Sequence, residues 1–167
     1  AGLSILAFPF CSAVIHAQPY VWLPGSSADE NNRTGDRVVV VDAATDTIIT
    51  PPGGWDYTAA SPGADPFTPA FSPDGKIAYL ITGSDTNAGQ NDGQLYVFNA
   101  ESLIDQWKQG QNPSNVFETL DIEALDGGLA GRSEPSGLTV DPVNGLVIVT
   151  DRTSGFISIY EPQSDNT

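Results

Sequence analysis

The chain has 167 residues, 40% of them hydrophobic and 16% charged, with 17 Gly and 13 Pro; that is one ordinary domain's length, able to bury a core and turning often. Six Lys and Arg against 21 Asp and Glu give a formal charge of −15, a field that repels phosphate backbones and anionic bilayers and so excludes nucleic acid as an expected partner. A single Cys and a single His exclude an intrachain disulfide, a thiolate-rich metal site and a His-rich zinc cage, and no stretch reaches the ~18–20 apolar residues of a membrane span. The acidity fits a secreted or cell-surface protein or a binder of divalent cations, and equally plain solubility.

Leu3 to Val14 is an apolar run, followed by small residues at two cleavage points, after Ala13 and after Ala17. It reads as a signal peptide lacking its basic front end, over 1–17, or else as a buried strand. Cys11 and His16 lie inside this segment and are poor catalytic candidates under the first reading. From Pro19 onward the pattern is one of strands and turns. Tyr20 to Leu23, the β-branched run Arg37 to Asp42, and Thr47 to Thr50 come first. Phe67 to Ser72 leads into Pro73-Asp74-Gly75, where Pro presets φ and Gly accepts a positive one. Lys76 to Thr82, Gln94 to Asn99 and Val116 to Ile122 follow. Between the last two, Ala100 to Gly110 spaces Leu103, Ile104 and Trp107 as a helix would, with Ser102 as cap and Gly110 as stop; a polar connection with one Trp tucked against the sheet is the alternative. Ser136 to Asp141, Leu146 to Thr150 and Phe156 to Tyr160 complete ten strands.

The second set of strands restarts the first. Phe71-Ser72-Pro73-Asp74-Gly75 matches Val140-Asp141-Pro142-Val143-Asn144-Gly145, with Pro142 lying 69 residues after Pro73. Arg37 to Ala43, Gln94 to Ala100 and Phe156 to Pro162 also correspond. A four-strand unit recurring every ~40–50 residues, lengthened here by loop insertions, is the signature of β-propeller blades. The fold expected is all-β: four-stranded antiparallel blades over 18–167, spanning roughly 18–50, 67–125 and 136–162. Ten strands make about two and a half blades, and propellers close with about 4–8. The expectation is therefore the remainder of a longer chain, or a homo-oligomer whose copies complete a ring.

Val39-Val40-Val41-Asp42-Ala43-Ala44-Thr45-Asp46-Thr47-Ile48, the Ser72-Pro73-Asp74-Gly75 turn, and Leu146 to Asp151 resemble the YVTN-type repeats of surface-layer and lactonase-like propellers. The resemblance runs from Pro19 to Pro162 and implies a seven-bladed ring. It says little of activity, since propellers host many unrelated functions. It leaves two functions in view, a binding or scaffold module and a lactonase-like hydrolytic enzyme with its catalytic residues in other blades.

Loop length is unevenly distributed. The connections Gly25 to Asp36, Pro51 to Pro66, Gly83 to Gly93 and Asp126 to Pro135 are long, and all emerge on one face, the usual place for a contact surface. On it, Asp85, Asn87, Asn91 and Asp92 place hard oxygens at close spacing, a candidate calcium site, against the simpler reading of a solvated loop. Trp55, Tyr57 and Phe67 are candidates for stacking on a carbohydrate or protein ligand, or for packing beneath the loop. Arg132 and Glu134 precede an inner strand and are the candidate catalytic pair, Glu134 as general base or metal ligand; a rim salt bridge is the alternative. Asn32-Arg33-Thr34 is a glycosylation sequon, meaningful in a glycosylating source.

Overall fold

The computed structural model describes residues 19–25, 37–55, 69–82, 94–113, 118–121, 135–152 and 155–162, with side chains for all of these but 118–121. Ten strands and one helix lie among them: β1 (Tyr20–Gly25), β2 (Arg37–Asp42), β3 (Thr47–Ile48), β4 (Ala70–Phe71), β5 (Ile77–Ile81), β6 (Gln94–Asn99), α1 (Ala100–Lys108), β7 (Glu118–Asp121), β8 (Pro135–Val140), β9 (Val147–Asp151) and β10 (Ile157–Tyr160). They form three antiparallel sheets ordered β1-β2-β3, β4-β5-β6-β7 and β8-β9-β10. Every neighbour in a sheet is a neighbour in sequence, so each sheet is a simple meander of hairpins.

The alternation of side chains decides how the sheets stack. In β5, Ala78 and Leu80 point to one face while Tyr79 and Ile81 point to the other, and all four are buried. The pairs Ala78↔Phe98, Leu80↔Tyr96 and Ile81↔Leu95 continue both faces onto β6. The middle sheet is thus apolar on both sides, as a sheet covered on both faces must be. One side meets Trp22, Val38 and Val40 of the first sheet; the other meets Val147 and Val149 of the third. Each fully buried Val or Leu in these two layers contributes about 1.5–3 kcal/mol, so the layers fix the stack. The inner strands β4 and β8 lie against each other. Meander sheets stacked face to face with adjacent inner strands are the blades of a β-propeller.

Helix α1 departs from that plan. It occupies the connection between the third and outer strands of the middle blade and closes over the first interface. Asn99, not Ser102, caps it: the Asn99 Oδ1 accepts the Ser102 N–H at 2.8 Å. Ser102 is the third helical residue, which is where an Asn cap finds its donor. Gly110 follows the last turn, its N–H donating to Trp107 O at 2.9 Å. Ala100, Leu103, Ile104 and Trp107 are its buried stripe, and all join the first interface. Trp107 stands between Trp22 and Trp55, with ring centroids at 5.5 and 5.3 Å, so all three tryptophans of the chain share one cluster. Among the described residues no helix is long and apolar enough to cross a membrane.

Candidate functional site: the open end of the blades

The two ends of the strands differ in kind. At one end the connections are tight. Ser72 to Lys76 joins β4 to β5, with the Gly75 N–H donating to Ser72 O at 2.8 Å, and Asp141 to Leu146 joins β8 to β9, with the Gly145 N–H donating to Asp141 O at 2.8 Å. Gly75 and Gly145 both take φ of 73°, which a β-carbon would oppose. A β-carbon on Gly145 would lie 3.8 Å from Pro73 Cδ, so the two turns are neighbours and the blades point the same way. Ala43 to Asp46 closes the β2–β3 hairpin at the same end of the first blade.

Carboxylates lock these turns. Asp74 accepts the Ser72 hydroxyl at 2.6 Å and the Lys76 N–H at 3.1 Å, and the first of these leads in holding its carboxyl below the usual value. Asp141 accepts the Val143 N–H at 2.9 Å and the Asn144 amide at 2.7 Å, and the Val143 bond leads in lowering it likewise. Each charge is matched to local donors, which makes it a turn constraint rather than a reactive group. Lys108, at the end of α1, donates to Tyr20 Oη at 2.6 Å, and its Nζ stands 3.9 Å from Asp42 Oδ2 and 5.0 Å from the Tyr20 ring centre. The Tyr20 hydroxyl is the main cause that raises the Lys108 ammonium above its ordinary value.

The opposite end is where the long segments attach. Residues 26–36 leave from Gly25 and return at Arg37, which pair across β1 and β2. Residues 83–93 leave from Thr82 and return at Gln94, with the Thr82 N–H donating to Gln94 O at 3.0 Å. Residues 56–68 leave from Trp55, held by its bridge to Val38, and lead to β4 at its open end. Residues 122–134 leave from Asp121, paired with Gln94, and lead to Pro135, paired with Asp151. Antiparallel order therefore delivers eight attachment points to one end of three neighbouring blades.

Most of the residues singled out from sequence belong to those segments. Tyr57, Phe67, Asp85, Asn87, Asn91, Asp92, Arg132 and Glu134 lie outside the described residues. Trp55 does not, and its placement follows the packing alternative given for it. It is 0% exposed, edge-on to Phe98 and Trp107 at 5.1 and 5.3 Å, and its indole N–H donates to Pro113 O at 2.6 Å. A ring closed on its faces and at its polar edge packs the core. Among the described residues no group of three or more His, Cys, Asp or Glu could hold a metal.

Two buried polar residues at this end had not been singled out. Thr82 follows directly on β5 and Asp151 ends β9, and they are 1% and 6% exposed. Thr82 Oγ1 accepts the Gln94 N–H at 3.3 Å, which ties the base of the 83–93 segment to the strand that follows it. The Asp151 N–H donates to Phe156 O at 3.0 Å, closing the turn to β10. Thr82 and Asp151 hold matching places in the repeat, 69 residues apart, but their burial depends on the neighbouring blade and not on the local pattern.

No family model matches the chain, and no curated protein matches it. Among solved structures four chains match. One is the β-propeller domain of Cps50 (Swd1) from Myceliophteria thermophila, at 16% identity over 78% of this chain and 46% of that one, with a TM-score of 0.39. The chain thus spans about half the length of that domain. A likeness at this level does not by itself establish a common fold, and the blade assignment stands on the meander order, the register and the two buried interfaces.

Proposed function

We propose that the chain is a binding or scaffold module of a secreted or cell-surface β-propeller, contacting its ligand with the open end of the blades. The observation that carries this is the convergence of the four long segments on that end, opposite an end closed by tight hydrogen-bonded turns. A rigid stack that presents variable segments on one side is the usual design of a recognition surface. The acidic charge of the chain supports an extracellular setting. The YVTN-type subfamily is part of the same proposal. It is supported by the β2–β3 hairpin, where the Ala44 N–H donates to Asp42 Oδ1 at 2.9 Å and the Thr45 and Thr47 hydroxyls share a bond of 2.7 Å.

The ligand proposed is a carbohydrate or protein surface engaged by Tyr57 and Phe67, with calcium held by Asp85, Asn87, Asn91 and Asp92 as the ordering ion. Binding of the purified chain to an immobilised panel of oligosaccharides and extracellular proteins, with and without calcium chloride, is the test. Replacing 83–93 by Asn-Gly, or both Tyr57 and Phe67 by Ala, abolishes binding and leaves the circular dichroism unchanged if the open end is the contact. Binding that survives all of these changes, or is absent throughout, sinks the proposal.

A further inference from the structure

The two neighbouring tight turns hold matching places in the repeat but are built with opposite polarity. In the middle blade the carboxylate stands beside the glycine, and Asp74 accepts the Ser72 hydroxyl at 2.6 Å. In the third blade the carboxylate stands at the head of the turn, and Asp141 Oδ2 accepts the Asn144 amide at 2.7 Å. Asn144 is exposed and precedes Gly145, the sole Asn-Gly pair of the chain. Such a pair carries a reaction of its own. A glycine has no β-carbon to obstruct its nitrogen, and a five-membered ring closes when that nitrogen reaches the carboxamide carbon of the residue before it.

We infer that Asn144 is a deamidation site whose rate is set by Asp141. The Gly145 nitrogen attacks Asn144 Cγ, the bond from Cγ to the amide nitrogen breaks, and that nitrogen leaves as ammonia with the proton that Gly145 gives up. Water then opens the cyclic imide at either carbonyl, leaving aspartate or isoaspartate. One water is consumed for one ammonia released, and nothing is oxidised or reduced. Asp141 holds both reacting groups: its carboxylate fixes the Asn144 amide at 2.7 Å, and its carbonyl accepts the Gly145 N–H at 2.8 Å. The Val143 N–H, donating to Asp141 Oδ1 at 2.9 Å, fixes the carboxylate in turn. The ring closes only when the Gly145 N–H gives up its acceptor and the carboxamide swings free, so Asp141 is a positioning residue that restrains the reaction. The product loses a donor and gains a charge. An aspartate at this position sets a second carboxylate against Asp141, a like-charge pair that the middle blade avoids by meeting Asp74 with a hydroxyl. An isoaspartate lengthens the backbone beside the neighbouring turn, where a β-carbon on Gly145 would lie 3.8 Å from Pro73 Cδ. Deamidation therefore loosens the paired turns. The site lies at the end opposite the long segments, and the inference is independent of what those segments bind.

Peptide mapping by mass spectrometry on the full 167-residue chain, incubated in mildly alkaline buffer, tests this through the mass gained when the amide NH2 is replaced by OH. Conversion of Asn144 is expected in the folded chain, and roughly tenfold faster or more in Asp141→Ala, the factor that loss of a hydrogen bond to a charged acceptor represents. Should Asp141→Ala not fold, the unsubstituted chain makes the same comparison, with Asn144 converting faster in urea than folded by a similar factor. Gly145→Ala is expected to suppress conversion, and is compared in urea, where its effect does not depend on folding. An Asn144 that stays intact in folded Asp141→Ala overturns the inference. So does equal conversion with and without the Asp141 restraint, or a Gly145→Ala chain that converts as fast as the unsubstituted one. The consequence for the turns is read on Asn144→Asp, expected to melt below the unsubstituted chain; an equal or higher melting temperature overturns the loosening.

Discussion

Replacing Trp55 and Trp107 by phenylalanine, one at a time, removes the same atoms from the same cluster but not the same hydrogen bond. Both rings are buried and lie 5.3 Å apart, so the lost contacts and the residual cavity, at about 24 cal/mol per Å3, weigh on both variants alike. Trp55→Phe also strands the Pro113 carbonyl, which accepts the indole N–H at 2.6 Å in a buried setting; an orphaned buried acceptor costs about 1–3 kcal/mol. Among the described residues Trp107 Nε1 is buried with no hydrogen-bond partner, so Trp107→Phe removes a desolvated donor and recovers part of its cost. Trp55→Phe is therefore the less stable variant by roughly 2 kcal/mol or more, a large share of the 5–15 kcal/mol typical of a domain. With an m-value of about 2 kcal/mol/M in urea, their midpoints separate by about 1 M. Urea unfolding followed by far-ultraviolet circular dichroism measures this directly. Equal midpoints, or a lower one for Trp107→Phe, would refute the assigned roles of the two indoles.

Asn99→Ala removes the cap of α1 and costs about 1 kcal/mol, while Asn99→Ser restores most of it; thermal melts of the two variants make the comparison. Gly145→Ala places a β-carbon at φ of 73° with only ordinary contact to Pro73, so it costs the backbone term of about 1–2 kcal/mol and nothing for a clash; a loss well above that in denaturant unfolding would mean the turns are closer than described. Asp74 and Asp141 both have folded values below the ordinary aspartate value of 3.8. Their stabilising contribution is thus full above that value and lost as pH falls through the lower folded values. Substituting both by Ala lowers the melting temperature at neutral pH and flattens its fall below pH 3.8; an unchanged acid slope contradicts the turn assignment.

How far the fold could be read in advance varied with the length of its periodic runs. Arg37 to Asp42 and Gln94 to Asn99 are strands over their full expected length, because unbroken runs of β-branched, aromatic and aliphatic residues leave few alternatives. Thr47 to Thr50 gives only the short strand Thr47–Ile48, and the described part of Phe67 to Ser72, which begins at residue 69, gives the strand Ala70–Phe71. Neither has apolar alternation sufficient to fix its ends. The helical spacing of Leu103, Ile104 and Trp107 was legible, but its cap was assigned to Ser102 because local pattern does not distinguish which polar side chain has the non-helical backbone. For Trp55 the sequence leaves ligand stacking and packing beneath the loop both open, for a physical reason. A tryptophan in a Gly- and Pro-rich stretch looks like a surface ring, and only the long-range acceptor at Pro113 shows that its polar edge is satisfied inside. Thr82 and Asp151 were hidden by the same non-locality, since burial of a strand's last polar residue depends on the neighbouring blade.

The face-to-face stack is what the rest depends on, and methyl nuclear Overhauser contacts test it without any substitution. Val147 and Val149 methyls should show contacts to Ile81 and Leu95 and none to Leu80, while Val38 and Val40 should show contacts to the side of the middle blade that carries Leu80 and Phe98. Contacts from Val149 to Leu80, or from Val40 to Ile81, would mean that the sheets are stacked in another order or on the other face, and the blade assignment would fall.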